Sequence, residues 1–587
     1  MNRRLKRYLG FVTVLFFKQA VSQQQISSTL ELEALRAAPM ETLYLHLNRT
    51  TLFPGETLYF SIYSIDLQSY RLSKVSKIAY VQLTDANGTQ VSVQKIRLYQ
   101  GRGQGDLFIN TKIPSGAYTL TSFTNWIKNA GVNQFYTAEI NVINPYESTP
   151  GILIGASSEN IDSGALKTIS VEEHTDSDTG ILIRTSCTSC PINSSVTLQL
   201  QNLKGVLAQG SYSISVARVE EIPEIPSVTA SGFASAYANK LRRIPQQVLD
   251  SVWIPEQREA IIAGKLIDSN KKIGLAGVPI VISLPGENFQ LLTATTNATG
   301  QFFAYLKAPY EGATGYFNTT SGIAMNQQVI FQNLGQINEK FPSPRRIVID
   351  TSLAGAIRKR SIHNQIENGY FEVKPDTVRS VFTEESYFGY LPRSYDLDDY
   401  TSFSTLRETL IEIIQDVWVK KDSDKTETLW VRAPSEIGRE IFTIAPPIVT
   451  IDGIFIPNHG EILDLDARLL KYIRVVQDEI IFGDNKYQGM VALETRYGDY
   501  TSSGTPFEFS PAAPVKSYFQ EFPDHSRNRI PDFRHQLYWN PRIDMNQYGQ
   551  SFKFMTSRVP GTYSVTLEGF TSYGKPVTLK SYFEVKE

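Results

Sequence analysis

The stretch TLYLHLNRTTLFPGETLYFSIY, residues 42–63, sets the reading of the whole chain. Leu43, Leu45 and Leu47 alternate with Tyr44, His46 and Asn48, the period of a strand with one face on a core. Phe53-Pro54-Gly55-Glu56 interrupts with turn chemistry, and Thr57 to Tyr63 takes the strand pattern up again. Working outward, Lys77 to Leu83 ends at Asp85-Ala86-Asn87-Gly88, a hairpin-type turn. Val91 to Tyr99, Gly105 to Ile109, Gly116 to Phe123 and Gln134 to Val142 continue the series. About seven strands in a hundred residues is the count of a small β-sandwich.

The rest of the chain is read from the same periods. Residues 24–40 suit one short helix. Strand patterns return at Gly180 to Thr185, Ser195 to Leu200 and Ser211 to Val216. Residues 221–258 are Pro-rich and read as a connection, with a helix near Ala234 to Arg242. Residues 260–330 form another compact β-unit, and residues 345–440 are the least strand-like part. Within them, Leu406, Leu410, Ile413, Ile414 and Val417 predict a helix over Ser404 to Val417, capped by Ser404 or Thr405. Clear strands reappear over 550–585. Pro114-Ser115-Gly116-Ala117-Tyr118 is echoed by Pro560-Gly561-Thr562-Tyr563.

Composition and charge exclude several classes. The 57 Lys+Arg nearly cancel the 59 Asp+Glu, so no basic field speaks for nucleic acid. Two cysteines exclude a disulfide scaffold and an iron–sulfur protein. At the start, Arg3, Arg4, Lys6 and Arg7 precede the apolar run Tyr8 to Phe17 and the small-x-small site Ala20-Val21-Ser22. This predicts a secretory leader over 1–22 and a mature start near Gln23. No later stretch is apolar for 18 residues, so no transmembrane segment is expected in the mature chain.

Three stretches resemble known families. Tyr44 to Phe60, with its Pro-Gly-Glu turn, resembles the opening of a macroglobulin MG2 domain; the match continues through the Trp126 segment and covers about residues 42–145. The thioester run Cys-Gly-Glu-Gln is absent, so covalent trapping of proteases is not implied. Ile262-Ala-Gly-Lys-Leu-Ile-Asp268, Leu275-Ala-Gly-Val278 and Thr295 to Phe302 resemble the carboxypeptidase regulatory-like fold, with Gly264 in a turn. The helix at Thr405 to Val417, Pro447-Ile-Val-Thr-Ile-Asp-Gly453, Phe482-Gly483 and Tyr487 to Thr495 resemble the plug of TonB-dependent receptors, although Arg474 stands where an acidic residue is usual. Only 87 residues follow Tyr500, too few for the receptor barrel. The order of units resembles secreted envelope proteins of Bacteroidota.

These readings give a mainly β, multi-domain chain of immunoglobulin-like or macroglobulin-like sandwiches with one α+β plug-like domain. The expected division is a leader (1–22), a helical linker (23–41), an MG2-like sandwich (42–147), a second sandwich (148–222) and a linker (223–258). A regulatory-like sandwich (259–345), a plug-like domain (346–505) and a C-terminal sandwich (506–587) complete it. Cys187 and Cys190 could form a loop disulfide, remain thiols, or belong to a metal or redox site. No His-Glu-x-x-His helix, nucleophile elbow or phosphate loop occurs, so no enzyme activity, cofactor or metal is expected. The plug resemblance implies a partner surface at Asp452, Gly453, Phe482, Gly483 and Tyr487. The expected role is an exported, outer-membrane-associated scaffold docking onto a β-barrel or another envelope protein. The alternative is a carbohydrate-binding or adhesive surface protein.

Overall fold

The computed structural model describes residues 39–147, 153–155, 180–235, 253–286, 288–337, 341–342, 344, 348–379, 386–421, 423, 425–434, 445–501, 504–521 and 530–587. The expected leader and nearly all of the helical linker lie outside these residues.

The opening stretch folds into β1 (Glu41–Leu47), β2 (Thr51–Leu52) and β3 (Thr57–Asp66), with β1 and β3 antiparallel and Leu45 opposite Ile62. Gly55 carries the turn at φ +90°, a conformation open to glycine. Then come β4 (Ile78–Thr84), β5 (Gln90–Arg97), β6 (Arg102–Phe108), β7 (Gly116–Phe123) and β8 (Tyr136–Val142). The sheets β1-β3-β6 and β2-β8-β7-β4-β5 enclose Leu45, Phe60, Ile62, Leu120 and Phe123. Alternation predicts one covered face on β1, yet all seven of its residues are buried. The cause is a second sandwich lying on the outer face. Its Phe570 packs edge-on to Tyr44, and its Trp539 lies against His46.

That second sandwich corrects the expected division. Ile181–Thr185, Ser195–Asn202 and Gln550–Met555 form one sheet. Ser189–Pro191, Pro576–Lys586, Gly561–Thr571, Gly210–Arg218 and Gln536–Met545 form the other, in that order. The units expected at 148–222 and 506–587 are therefore halves of one sandwich. Gly210–Arg218 pairs with Gln536–Met545 on one edge and Gly561–Thr571 on the other, so each half covers edges the other would leave open. A single core of Ile183, Leu198, Ile214, Val565 and Phe583 runs through both.

The Pro-Gly echo has a physical cause. The Tyr118 hydroxyl donates to the Pro114 carbonyl at 2.7 Å, and Tyr563 donates to Val559 at 2.8 Å. Both are tyrosine corners, which pin the chain where it enters a sheet. Tyr212 makes the same bond to Ala208 at 3.0 Å.

In the third sandwich, Ile261–Asp268 lies between Gln301–Tyr305 and Gln327–Gln332. The facing sheet holds Gln290–Thr295, Pro279–Leu284, Thr314–Thr319 and, from far along the chain, Thr505–Glu508. Gly264 sits inside a strand rather than in a turn, and a Cβ there would meet the Phe302 ring at 2.6 Å. The α+β unit orders its sheet as Arg393–Asp396, Leu470–Phe482, Asn485–Thr495, Ile448–Ile451 and Ile454–Phe455. Its helix is Leu406–Glu412, shorter than the apolar spacing predicts. Thr405 caps it by accepting from the Glu408 amide, while the Glu408 carboxylate accepts from the amide and hydroxyl of Ser404, one residue before the cap. Ile414 and Val417 continue the apolar series because they enter the same core, but Val417 already belongs to the hairpin Val417–Lys421 and Glu427–Val431.

The helix Ala354–Gly369 was not legible as such. Its buried residues are Arg360, Ser361, His363 and Asn364, so it carries no apolar stripe for periodicity to detect. No helix among the described residues is long and apolar enough to cross a membrane.

Candidate functional site

The five residues expected to face a partner meet another part of the same chain. Gly453, at φ +80°, has Phe289 of the third sandwich where a Cβ would lie, 2.4 Å away. Gly483 faces Thr293 in the same way at 3.1 Å. Phe482 is buried in a cluster with Val281, Phe289 and Leu291, and Tyr487 packs on its rim. Asp452 turns inward, where its carboxylate accepts from the Thr495 amide and hydroxyl and from the Tyr500 amide. This face of the α+β unit is thus occupied by the third sandwich. Arg474, at the divergent position, pairs with Glu494 on the neighbouring strand.

A second concentration of chemistry lies where the helix Ala354–Gly369 meets the first and second sandwiches. Arg360, 1% exposed, makes a two-pronged pair with Glu56 at 2.8 Å through each nitrogen and reaches the Thr51 carbonyl at 3.0 Å. Burial works to raise the Glu56 carboxyl; the Arg360 guanidinium, backed by Arg49, outweighs it and holds the group below its ordinary value. His363 Nδ1 lies 2.8 Å from His535 Nε2, and His535 Nδ1 lies 2.6 Å from Glu220. Burial, then the neighbouring His535, lowers His363 to about 4, and burial lowers His535 as well, so both rings are neutral at pH 7. Glu–His–His in line resembles a proton relay, but it ends on the Phe533 ring stacked on His363, and among the described residues no nucleophile is hydrogen-bonded to it. It works as a clamp between units.

Two further carboxyls sit in seams. Glu568 of the second sandwich accepts from the Tyr44 hydroxyl and the Ala230 amide, and burial raises it to about 8. Glu256 accepts from Tyr80 and Asn125 of the first sandwich and from the Ile261 amide of the third. Burial raises it to about 7 against the pull of the Ile261 amide and Lys95.

The open feature is a cleft of about 480 Å³ between the first and third sandwiches. Val93, Gln94 and Lys95 line one wall, Phe331 to Gly335 another, and Phe507 to Phe509 a third. Phe331 and Phe507 stack at 4.2 Å, and the Lys95 ammonium stands 4.8 Å over the Phe509 ring. The wall formed by β5 is the edge of its five-stranded sheet. Its later half is bridged by the Ala513 amide donating to Lys95; among the described residues, no strand pairs with the outer edge from Gln90 to Gln94. Val91 and Val93 are exposed there, with no charge among those five residues to guard the edge. The sequence carried this signal, an uncharged alternating Gln-Val-Ser-Val-Gln, but it read only as one more strand.

Cys187 and Cys190 are joined by a disulfide at the hairpin preceding Ser195–Asn202. Among the described residues, no group of three or more His, Cys, Asp or Glu could hold a metal ion.

Fold and site together define a mainly β, multi-domain chain of β-sandwiches locked by buried polar seams. No protein-family model matches the chain, and no curated protein matches it. Solved structures give a distant likeness of fold alone. A Salmonella alpha-2-macroglobulin shares 8% identity at a TM-score of 0.24, over 94% of this chain and 40% of that one. The native Escherichia coli alpha-2-macroglobulin shares 9% at 0.23, over 93% and 40%. The Escherichia coli adhesin FdeC shares 9% at 0.14, over 53% and 64%. The chain thus spans about 40% of the length of the macroglobulins it resembles.

Proposed function

We propose that this protein is a non-catalytic scaffold of the cell envelope that binds an extended segment of an envelope protein along the open edge of β5. The observation that carries this reading is the uncharged backbone of Gln90 to Gln94, with which no strand pairs among the described residues, beside the aromatic cleft. An added strand would gain main-chain hydrogen bonds from β5 and place alternate side chains against Phe331 and Phe507. The third unit is read here as regulatory-like and the α+β unit as plug-like, and the partner as an outer-membrane β-barrel or its accessory protein. The face of the α+β unit expected to meet a barrel is covered by the third sandwich, so in this reading a barrel is met by another surface. The ionisable clusters support a scaffold over an enzyme, since each one described is tied into a seam. Replacing Val91 and Val93 by Lys tests the reading. The double variant should keep its melting temperature and lose co-purification with envelope proteins. Recovery of the same partners at the same yield would refute the β5 edge as the docking site.

A further inference from the structure

A pocket of about 210 Å³ opens at the joint between the third sandwich and the α+β unit. The joint is pinned beside it: the Phe455 amide donates to the Ser283 hydroxyl at 3.0 Å, and Phe455 shares a buried cluster with Val281. The sandwich contributes Thr320, just past its strand Thr314–Thr319. The α+β unit contributes part of the hairpin strand Glu427–Val431 and the segments 446–447 and 457–459. Pro446, Pro447, Pro457, Phe455 and Tyr487 give the pocket apolar walls. Tyr487, expected from the sequence to meet a partner, thus lines this pocket as well as the seam.

A fixed hydrogen-bond donor is set into these walls. Asn458 caps the turn His459–Ile462 by accepting from the Gly460 amide at 3.3 Å, and the turn carries His459 against Glu427–Val431. There the Leu429 amide donates to His459 Nδ1 at 3.1 Å. A ring nitrogen that accepts an N–H bond carries no proton, so the hydrogen of this imidazole sits on Nε2. Burial lowers the ring to about 4, which keeps it neutral at pH 7. His459 is 8% exposed and lines the pocket, and among the described residues nothing accepts from its Nε2. Thr320 and Thr428 also line the pocket, and their hydroxyls make no hydrogen bond among the described residues. Of the described residues on the wall, Glu427 alone is charged. Arg407 grips it through two bonds, at 3.2 and 2.7 Å, and Lys421 stands 3.7 Å away, so an ionic ligand finds no spare counter-charge. The volume is below the range of about 300–1,000 Å³ for drug-sized ligands, so the pocket admits one ring rather than a chain. A sugar ring carries an apolar C–H face for the prolines and aromatic rings. Its hydroxyls can accept from Nε2 and exchange bonds with both threonines. A proline from a peptide fills the apolar part but leaves the threonine hydroxyls unanswered.

We propose that this pocket binds a single neutral sugar residue of a glycan, its C–H face on Tyr487 and the prolines and one hydroxyl oxygen accepting from His459 Nε2. The inference goes beyond the scaffold reading and uses neither the β5 edge nor its cleft. Saturation-transfer NMR on the chain from Gln23 onward tests it, with methyl β-glucoside, methyl β-galactoside, methyl α-mannoside and N-acetylglucosamine as probes. At least one sugar should receive saturation, strongest on the protons of one ring face. Its deoxy analogue lacking the bonded hydroxyl should bind much more weakly. Thr428→Trp fills the pocket from a strand position and should abolish the signal at an unchanged melting temperature. His459→Phe removes the donor and should weaken binding about tenfold. That variant also strips the Leu429 amide of its acceptor, so Thr428→Trp is the one that decides. No saturation of any of the four sugars, or equal saturation with Thr428→Trp, would overturn the proposal. So would a proline-rich peptide that binds wild type and not Thr428→Trp while the sugars stay silent, which would assign the pocket to a protein segment.

Discussion

Glu568→Gln should stabilise this protein at alkaline pH and leave it unchanged in acid. Glu568 is fully buried between the first two sandwiches, where it accepts from the Tyr44 hydroxyl and the Ala230 amide. Burial raises its carboxyl from 4.5 to about 8, against the pulls of the Ala230 amide and Lys580. The unfolded chain therefore releases a proton above pH 4.5 that the folded chain keeps until about pH 8. The group's contribution is fully present below pH 4.5 and is lost as pH rises through about 8. At about 1.4 kcal/mol per pH unit the loss has a ceiling of about 5 kcal/mol. Relaxation around the buried charge brings the expected value to about 2–3 kcal/mol. Glutamine keeps the shape and both accepted hydrogen bonds and cannot ionise. Denaturant unfolding of both proteins, followed by tryptophan fluorescence from pH 4.5 to 9, should show the variant's advantage growing from near zero to a plateau above pH 8. A difference independent of pH, or a wild type that gains on the variant with rising pH, would refute the buried neutral carboxyl.

Other perturbations test other seams. Arg360→Met leaves Glu56 buried without its partner and should cost about 3–5 kcal/mol, read as a lowered denaturation midpoint. Gly453→Ala places a Cβ 2.4 Å from that of Phe289 on a backbone at φ +80°, so a loss of more than about 1 kcal/mol is expected in the same assay. Changing Cys187 and Cys190 to Ser opens a loop of sequence separation 3 and should shift melting little, since closing so short a loop gains well under ~3 kcal/mol.

Much of the strand content was legible from residues 42–63 outward, because Pro-Gly turns and period-two alternation are local signals. What lay between units was not. Tyr44 and His46 looked like the wet face of β1 because alternation cannot tell water from a neighbouring sandwich. The joining of Gly210–Arg218 to Gln536–Met545 spans more than three hundred residues, and nothing in either strand specifies so distant a partner. The helix Ala354–Gly369 escaped because its anchoring face is polar, built from Arg360, His363 and Asn364. Phe482 and Gly483, expected to face a partner, lie against the third sandwich, and sequence could not tell an internal wall from an external one.

The β5 edge is the part of the account on which the function rests. A photo-crosslinking amino acid placed at Val93 in the native envelope, with a second at Asp484 as the comparison site, tests it directly. The scaffold account predicts a discrete adduct with an envelope protein from Val93 that is weak or missing from Asp484. No adduct from Val93, or the same adduct at equal yield from Asp484, would contradict it.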